Sequence, residues 1–138
     1  MTKTLASIIA EAEKQRTAAK QAEVLKNNSS KALKDIIGYA MDPNVTWLLP
    51  ETDPPYTPMH PAADQEGRLY AETRRLIYFV DSPDGRQVKP LKREQLFIQL
   101  LESIDADDAK LLLRVKNKAL KIKKEAVKIA FPGISGHW

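Results

Sequence analysis

Most of the chain's concentrated chemistry lies between Arg114 and Lys128, where seven basic side chains stand against the single acid Glu125. The remaining residues carry fifteen basic and seventeen acidic groups, so the formal charge of +4 belongs to this one segment. If the segment is one continuous helix, a turn of about 100° per residue places Arg114, Lys118, Lys121, Lys124 and Lys128 within an arc of about 120°. Val115, Ala119, Ile122, Ala126, Ile129 and Ala130 then form a neighbouring apolar arc. Five cations along about 21 Å of helix suit the phosphates of nucleic acid or a nucleotide, an acidic protein surface or anionic lipid. Lysines without interleaved aromatics supply charge but no base readout, so a solvated, solubilising face is the competing reading. A break at Asn117 scatters the stripe.

A second constellation is WLLPETDPPYTPMHP, residues 47–61, which holds five of the nine prolines. Pro54, Pro55, Pro58 and Tyr56 favour polyproline geometry, which offers side chains and carbonyls to a protein partner at little ordering cost. The Trp47-Leu48-Leu49 entry argues for a strap anchored on the body, leaving Pro54, Pro55 and Tyr56 as the partner-facing part.

Acid–base chemistry has one candidate, His60, with Asp64 and Glu66 close in sequence to orient it. A lone loop histidine is commonly a surface residue, and the other, His137, is at the end of the chain, so neither a catalytic nor a metal site is expected. Without cysteine, thiolate catalysis, disulfides and cysteine-containing zinc sites are excluded. Glycines 38, 67, 85, 133 and 136 match neither a P-loop nor a dinucleotide fingerprint. Arg68, Arg74 and Arg75 can clamp a phosphate, although pairing with Glu72 explains them equally well. No cofactor is expected.

The elements that position these residues read as helices. Thr4 to about Lys26 is rich in Ala, Glu, Lys and Gln, with Leu5, Ile8, Ile9, Ala12, Ala19 and Ala22 at helical spacing. The stripe thins after Ala12, so this helix, within residues 1–28, reads as an edge helix on the core, with projection from the body or packing on another copy as the alternative. Asn28, Ser29 or Ser30 caps a second helix bearing Leu33, Ile36, Ile37 and Ala40, closed by Asp42-Pro43. Val45 to Leu49 reads equally as an extended piece or a helical turn. Leu69, Thr73, Leu76, Ile77 and Val80 predict a helix over 63–80, followed by the turn Asp81 to Gly85. Pro90 opens a helix carrying Phe97, Leu100, Leu101 and Ile104. Asp105 caps the next, which bears Ala109, Leu112, Leu113 and Lys116.

With 138 residues, 43% hydrophobic and 29% charged, one soluble all-α domain is expected, built of five or six helices. Its extended strap, residues 42–62, joins helices two and three, and residues 132–138 form a flexible tail. No stretch approaches the roughly 18 apolar residues of a membrane span, and the N-terminus lacks the pattern of a secretion signal.

Taken together, NVTWLLPETDPPYTP, RLYAETRRLIYFVD, LKREQLFIQLLESIDADDAKLLL and AFPGI resemble a family of small proteins encoded by large contractile-tailed bacteriophages, from about Ala32 onward. The resemblance implies a setting, a phage product in the host bacterial cytoplasm, and no activity or site residues. The expected function is non-enzymatic binding of a protein partner, as an adaptor or inhibitor of host or phage machinery, host defence included. The alternative is an anion binder that uses the basic helix for nucleic acid or sequesters a nucleotide signal as a homo-oligomer.

Overall fold

A computed structural model describes residues 3–60, 63, 67–135 and 138. The protein is all-α. Among these residues there are nine α-helices and a 3-10 helix, joined by one antiparallel bridge between Trp47 and Val80 and no strand. The count exceeds five or six because the 4–26 stretch divides and because Pro83–Arg86 and Pro132–Ser135, expected as a turn and a tail, form short helices; two further stretches also break.

The first division falls after α1, Leu5–Glu13, and before α2, Ala18–Asn27. Thr17 ends the run by capping α2, its hydroxyl accepting from the Lys20 amide at 3.2 Å. The burial pattern supplies the reason. On a straight helix the face bearing Leu5, Ile8, Ile9 and Ala12 and the face bearing Gln21, Ala22 and Leu25 would diverge by about 140°. The reversal at Lys14 to Arg16 turns both faces into one core.

Nor does α1 project. Leu5, Ile8, Ile9 and Ala12 are buried, and its N-terminus is pinned from two sides. The Asp108 carboxylate accepts from the Ala6 amide at 2.9 Å, placing negative charge at the positive helix end, and the Tyr70 hydroxyl donates to the Lys3 carbonyl at 2.7 Å. Beside it runs α7, Ala106–Lys116, which also packs on α3, Lys31–Met41. Of the residues proposed as caps for α3, Ser30 is the one that acts, accepting from the Leu33 amide.

The second division separates α4, Arg68–Glu72, from a 3-10 helix, Thr73–Phe79. Thr73, Leu76 and Phe79 are buried at a spacing of three, which suits three residues per turn better than 3.6. The chain is then extended enough at Val80 to pair with Trp47. This settles Val45 to Leu49 as extended: Leu48 N–H donates to Phe79 O at 2.9 Å, and Asp81 N–H to Thr46 O at 2.7 Å. Trp47 also donates from Nε1 to Tyr39 O at 3.0 Å.

Four short or regular helices complete the chain: α5, Pro83–Arg86; α6, Pro90–Ser103; α8, Lys124–Ala130; and α9, Pro132–Ser135. Gly85 in α5 is buried where a Cβ would lie 2.0 Å from Val80 O, so no side chain fits. Arg93 reaches back from α6 to donate to Gly85 O and Val88 O, both at 2.8 Å. The ending is not a flexible tail over its described part: Ser135 is buried and Trp138 packs on the core. Gly136 and His137 lie outside the described residues, as do Pro61 and Ala62 of the 42–62 segment.

Candidate functional site

The third division removes the continuous basic helix. After α7 the chain makes a Schellman ending, with Ala119 N–H donating to Arg114 O at 2.8 Å and Lys118 N–H to Val115 O at 3.1 Å. Lys118 occupies the left-handed position that glycine usually takes, with φ of 52°. The chain then runs extended to Lys123, tied by buried Gln21, whose Oε1 accepts from Lys123 N–H at 2.8 Å and whose Nε2 donates to Lys121 O at 3.4 Å. The five cations therefore share no helical face.

Their roles diverge accordingly. Both carboxylate oxygens of Glu13 on α1 take the Arg114 guanidinium as a fork, and the same carboxylate accepts from the Lys121 amide at 2.6 Å. Lys118 Nζ donates to the carbonyls of Asp42, at 2.9 Å, and Val45. Lys121, Lys124 and Lys128 have exposed side chains, on a non-helical stretch and on the separate helix α8. Two of the five thus hold the fold together, because the α7 terminus lies against unsatisfied backbone carbonyls and a buried-side carboxylate.

Lys116, outside the proposed stripe, has the strongest grip on the proline segment. Its side chain is 2% exposed, and Nζ donates to Pro50 O at 3.1 Å, Glu51 O at 3.4 Å and Asn117 Oδ1 at 2.9 Å, with the Asp53 carboxylate at 3.3 Å. Asn117 Nδ2 adds a bond to Asp53 at 3.0 Å. Downstream, Thr57 N–H donates to Glu102 Oε2 on α6 at 2.8 Å. A lysine in register with Leu112 and Leu113 on a buried face was the sequence signal for this anchor. Glu13 and Gln21 gave none, since their partners lie about a hundred residues away.

Held this way, the segment stands off α6 and leaves a groove of about 310 Å³. Leu49, Pro50, Pro54 and Pro55 form one wall, Leu91, Phe97 and Ile98 the other, with Asp53, Glu94 and Lys116 as its charged groups. Leu91 is 67% exposed on the rim. Of the proposed partner-facing residues, Pro54 and Pro55 line this groove, whereas Tyr56 packs partly on the core. Burial, and then the nearby Asp53 charge, raise the Tyr56 hydroxyl pKa.

The acid–base candidate falls largely outside the described residues. His60 is exposed, and its proposed carboxylate partners Asp64 and Glu66, like His137, lie outside the described residues. No group of three or more metal-ligating side chains occurs among the described residues. None of the described helices is long and apolar enough to cross a membrane. Arg68 and Arg75 flank the Glu72 carboxylate, at 3.9 Å and 3.0 Å, so the pairing reading holds for these two.

No curated protein and no solved structure is significantly similar to the chain. Residues 8–122, most of the sequence, from within α1 into the extended link after α7, match the model of DUF6433, a family of unknown function, to which this chain therefore belongs.

Proposed function

We propose that the protein is a non-enzymatic binding protein that holds an extended segment of a protein partner in the groove between the proline segment and α6. The single observation that carries this reading is the exposure of Leu91 at the rim of an apolar groove whose other wall is pinned open by Lys116. A wall of prolines presents its surface at little entropic cost, and a large exposed aliphatic side chain beside it supplies an anchor. The resemblance to proteins of large contractile-tailed bacteriophages supports a setting in the host bacterial cytoplasm, acting on host or phage machinery. The anion-binding alternative has lost the common helical face on which it rested.

The test is affinity capture from host and infected-cell extract, followed by reconstitution of each captured protein with purified variants. Leu91→Asp should weaken a true partner about tenfold or more, since it replaces a buried leucine contact by a desolvated charge. Tyr56→Ala, which removes a side chain packed partly on the core, should weaken it less. A reconstituted partner that binds Leu91→Asp as tightly as the native protein removes the groove from consideration.

A further inference from the structure

We propose a second binding site on the opposite side of α6, for a small molecule that carries a phosphate monoester beside a flat ring, such as a nucleoside monophosphate. It is a cavity of about 480 Å³ between the 3-10 helix and α6, and it includes Arg68, Arg75, Tyr78, Gln99 and Ser103. Phe79 and Leu96 give it an apolar lining as well. That volume exceeds what a bare phosphate fills and lies within the range of about 300–1,000 Å³ usual for small-molecule pockets.

The electrostatics favour an anion. Glu72 is nearly buried, its side chain 9% exposed, and the guanidiniums of Arg68 and Arg75 flank it. Arg75 faces Glu72 through Nε at 3.0 Å. That ion pair lies on one edge of an exposed guanidinium, and among the described residues its two terminal nitrogens make no hydrogen bond. A guanidinium paired at Nε keeps a planar two-nitrogen fork, the geometry that takes two oxygens of a phosphate at once.

The ring requirement comes from Tyr78. Among the described residues it is one of three large hydrophobic ones that the fold leaves exposed, at 42%, and it is the one that shares a cavity with two arginines. An aromatic face at the edge of a cationic cavity is a stacking platform for a base or another flat ring. Gln99 and Ser103 project from the facing helix, where an amide and a hydroxyl oxygen can meet polar edges of that ring. The Ser103 hydroxyl proton is already given to Leu100 O at 2.9 Å, so this group meets a ligand as an acceptor.

The test is titration of the full chain with adenosine monophosphate, phenyl phosphate, inorganic phosphate and adenosine, followed by amide chemical shifts and calorimetry. Adenosine monophosphate should bind more tightly than about 1 mM. Inorganic phosphate and adenosine should each be at least tenfold weaker, and shifts should centre on residues 75–79 and 96–103. Phenyl phosphate matching the nucleotide supports a general ring-phosphate site, and its failure to match supports a nucleotide site. Arg75→Gln should weaken the nucleotide about tenfold or more, and Tyr78→Ser about fivefold or more. Because Arg75→Gln also loosens Glu72, the exposed Tyr78→Ser and Gln99→Ala variants serve as tests without that burden. Absence of nucleotide binding, equal binding of inorganic phosphate, or binding indifferent to both Arg75→Gln and Tyr78→Ser overturns the proposal.

Discussion

Replacing Lys116 by methionine keeps an apolar stem of four heavy atoms and removes the ammonium. The native group makes bonds of 3.1, 3.4 and 2.9 Å and an ion pair at 3.3 Å. Hydrogen bonds to a charged group contribute about 1.5–3 kcal/mol each, and two of these have good length, for a gross contribution of about 3–6 kcal/mol. Against this stands the desolvation of a buried ammonium, which costs several kcal/mol. Pro50, Glu51 and Asp53 are exposed enough to regain water once released. Global stability should therefore fall by no more than about 2 kcal/mol. The local effect should be larger in proportion, because the proline segment loses its principal anchor while the helices keep theirs. Hydrogen exchange reads it at two amides that report the ends of the segment: Leu48, bonded to Phe79 O, and Thr57, bonded to Glu102. Both should exchange about tenfold faster over and above any change at the core amides of α3 and α7, which follow global stability alone; that excess is the equivalent of about 1.4 kcal/mol. Exchange at Leu48 and Thr57 that merely tracks the core would refute the assignment of Lys116 as the anchor.

Other perturbations probe the points where the chain departs from regular helix. Gly85→Ala should destabilise by about 2–4 kcal/mol in thermal or denaturant unfolding, since its Cβ meets the Val80 carbonyl at 2.0 Å; an unchanged midpoint would contradict the packing of α5. Lys118→Ala and Lys118→Gly both lose the bonds to the Asp42 and Val45 carbonyls, but only glycine relieves the positive φ, so the glycine variant should be the more stable by about 1 kcal/mol. Burial raises the pKa of Tyr39, Tyr56 and Tyr70 above the ordinary 10.0, with Asp35, Asp53 and Asp108 respectively adding to the effect. A group whose pKa is raised on folding stabilises fully below its unfolded pKa and loses that contribution as pH climbs through the folded one. Stability should therefore be level up to about pH 9 and fall above pH 10, and the absorbance titration of the native protein should lag that of the denatured chain; coincident titrations would contradict it.

Much of the helical content was written locally. Ser30 before Leu33, Asp42-Pro43 after Ala40, and the spacing of Phe97, Leu100, Leu101 and Ile104 each specify their element without help from the rest of the chain. That residues 51–60 carry no helix was legible for the same reason, since proline restricts both its own φ and the residue before it. The candidate groove was half legible: Pro54 and Pro55 were named, but Leu91 and Lys116 sit on helices whose approach to the segment no local pattern encodes.

What the amino-acid sequence alone determined is that the chain builds helices with an apolar side, interrupted once by proline, because propensity, capping and periodicity act over a few residues. Where those helices break was decided by tertiary structure. Straight continuation would have turned Leu25 away from Ile8 and Ala12, and would have left Glu13 and the carbonyls of Asp42 and Val45 without their cations. The same long-range pairing dissolved the basic stripe, since Arg114 and Lys118 do more for stability bonded to Glu13 and to backbone carbonyls than displayed to solvent. Partners separated by 101 and 76 positions in sequence meet only after the core has closed.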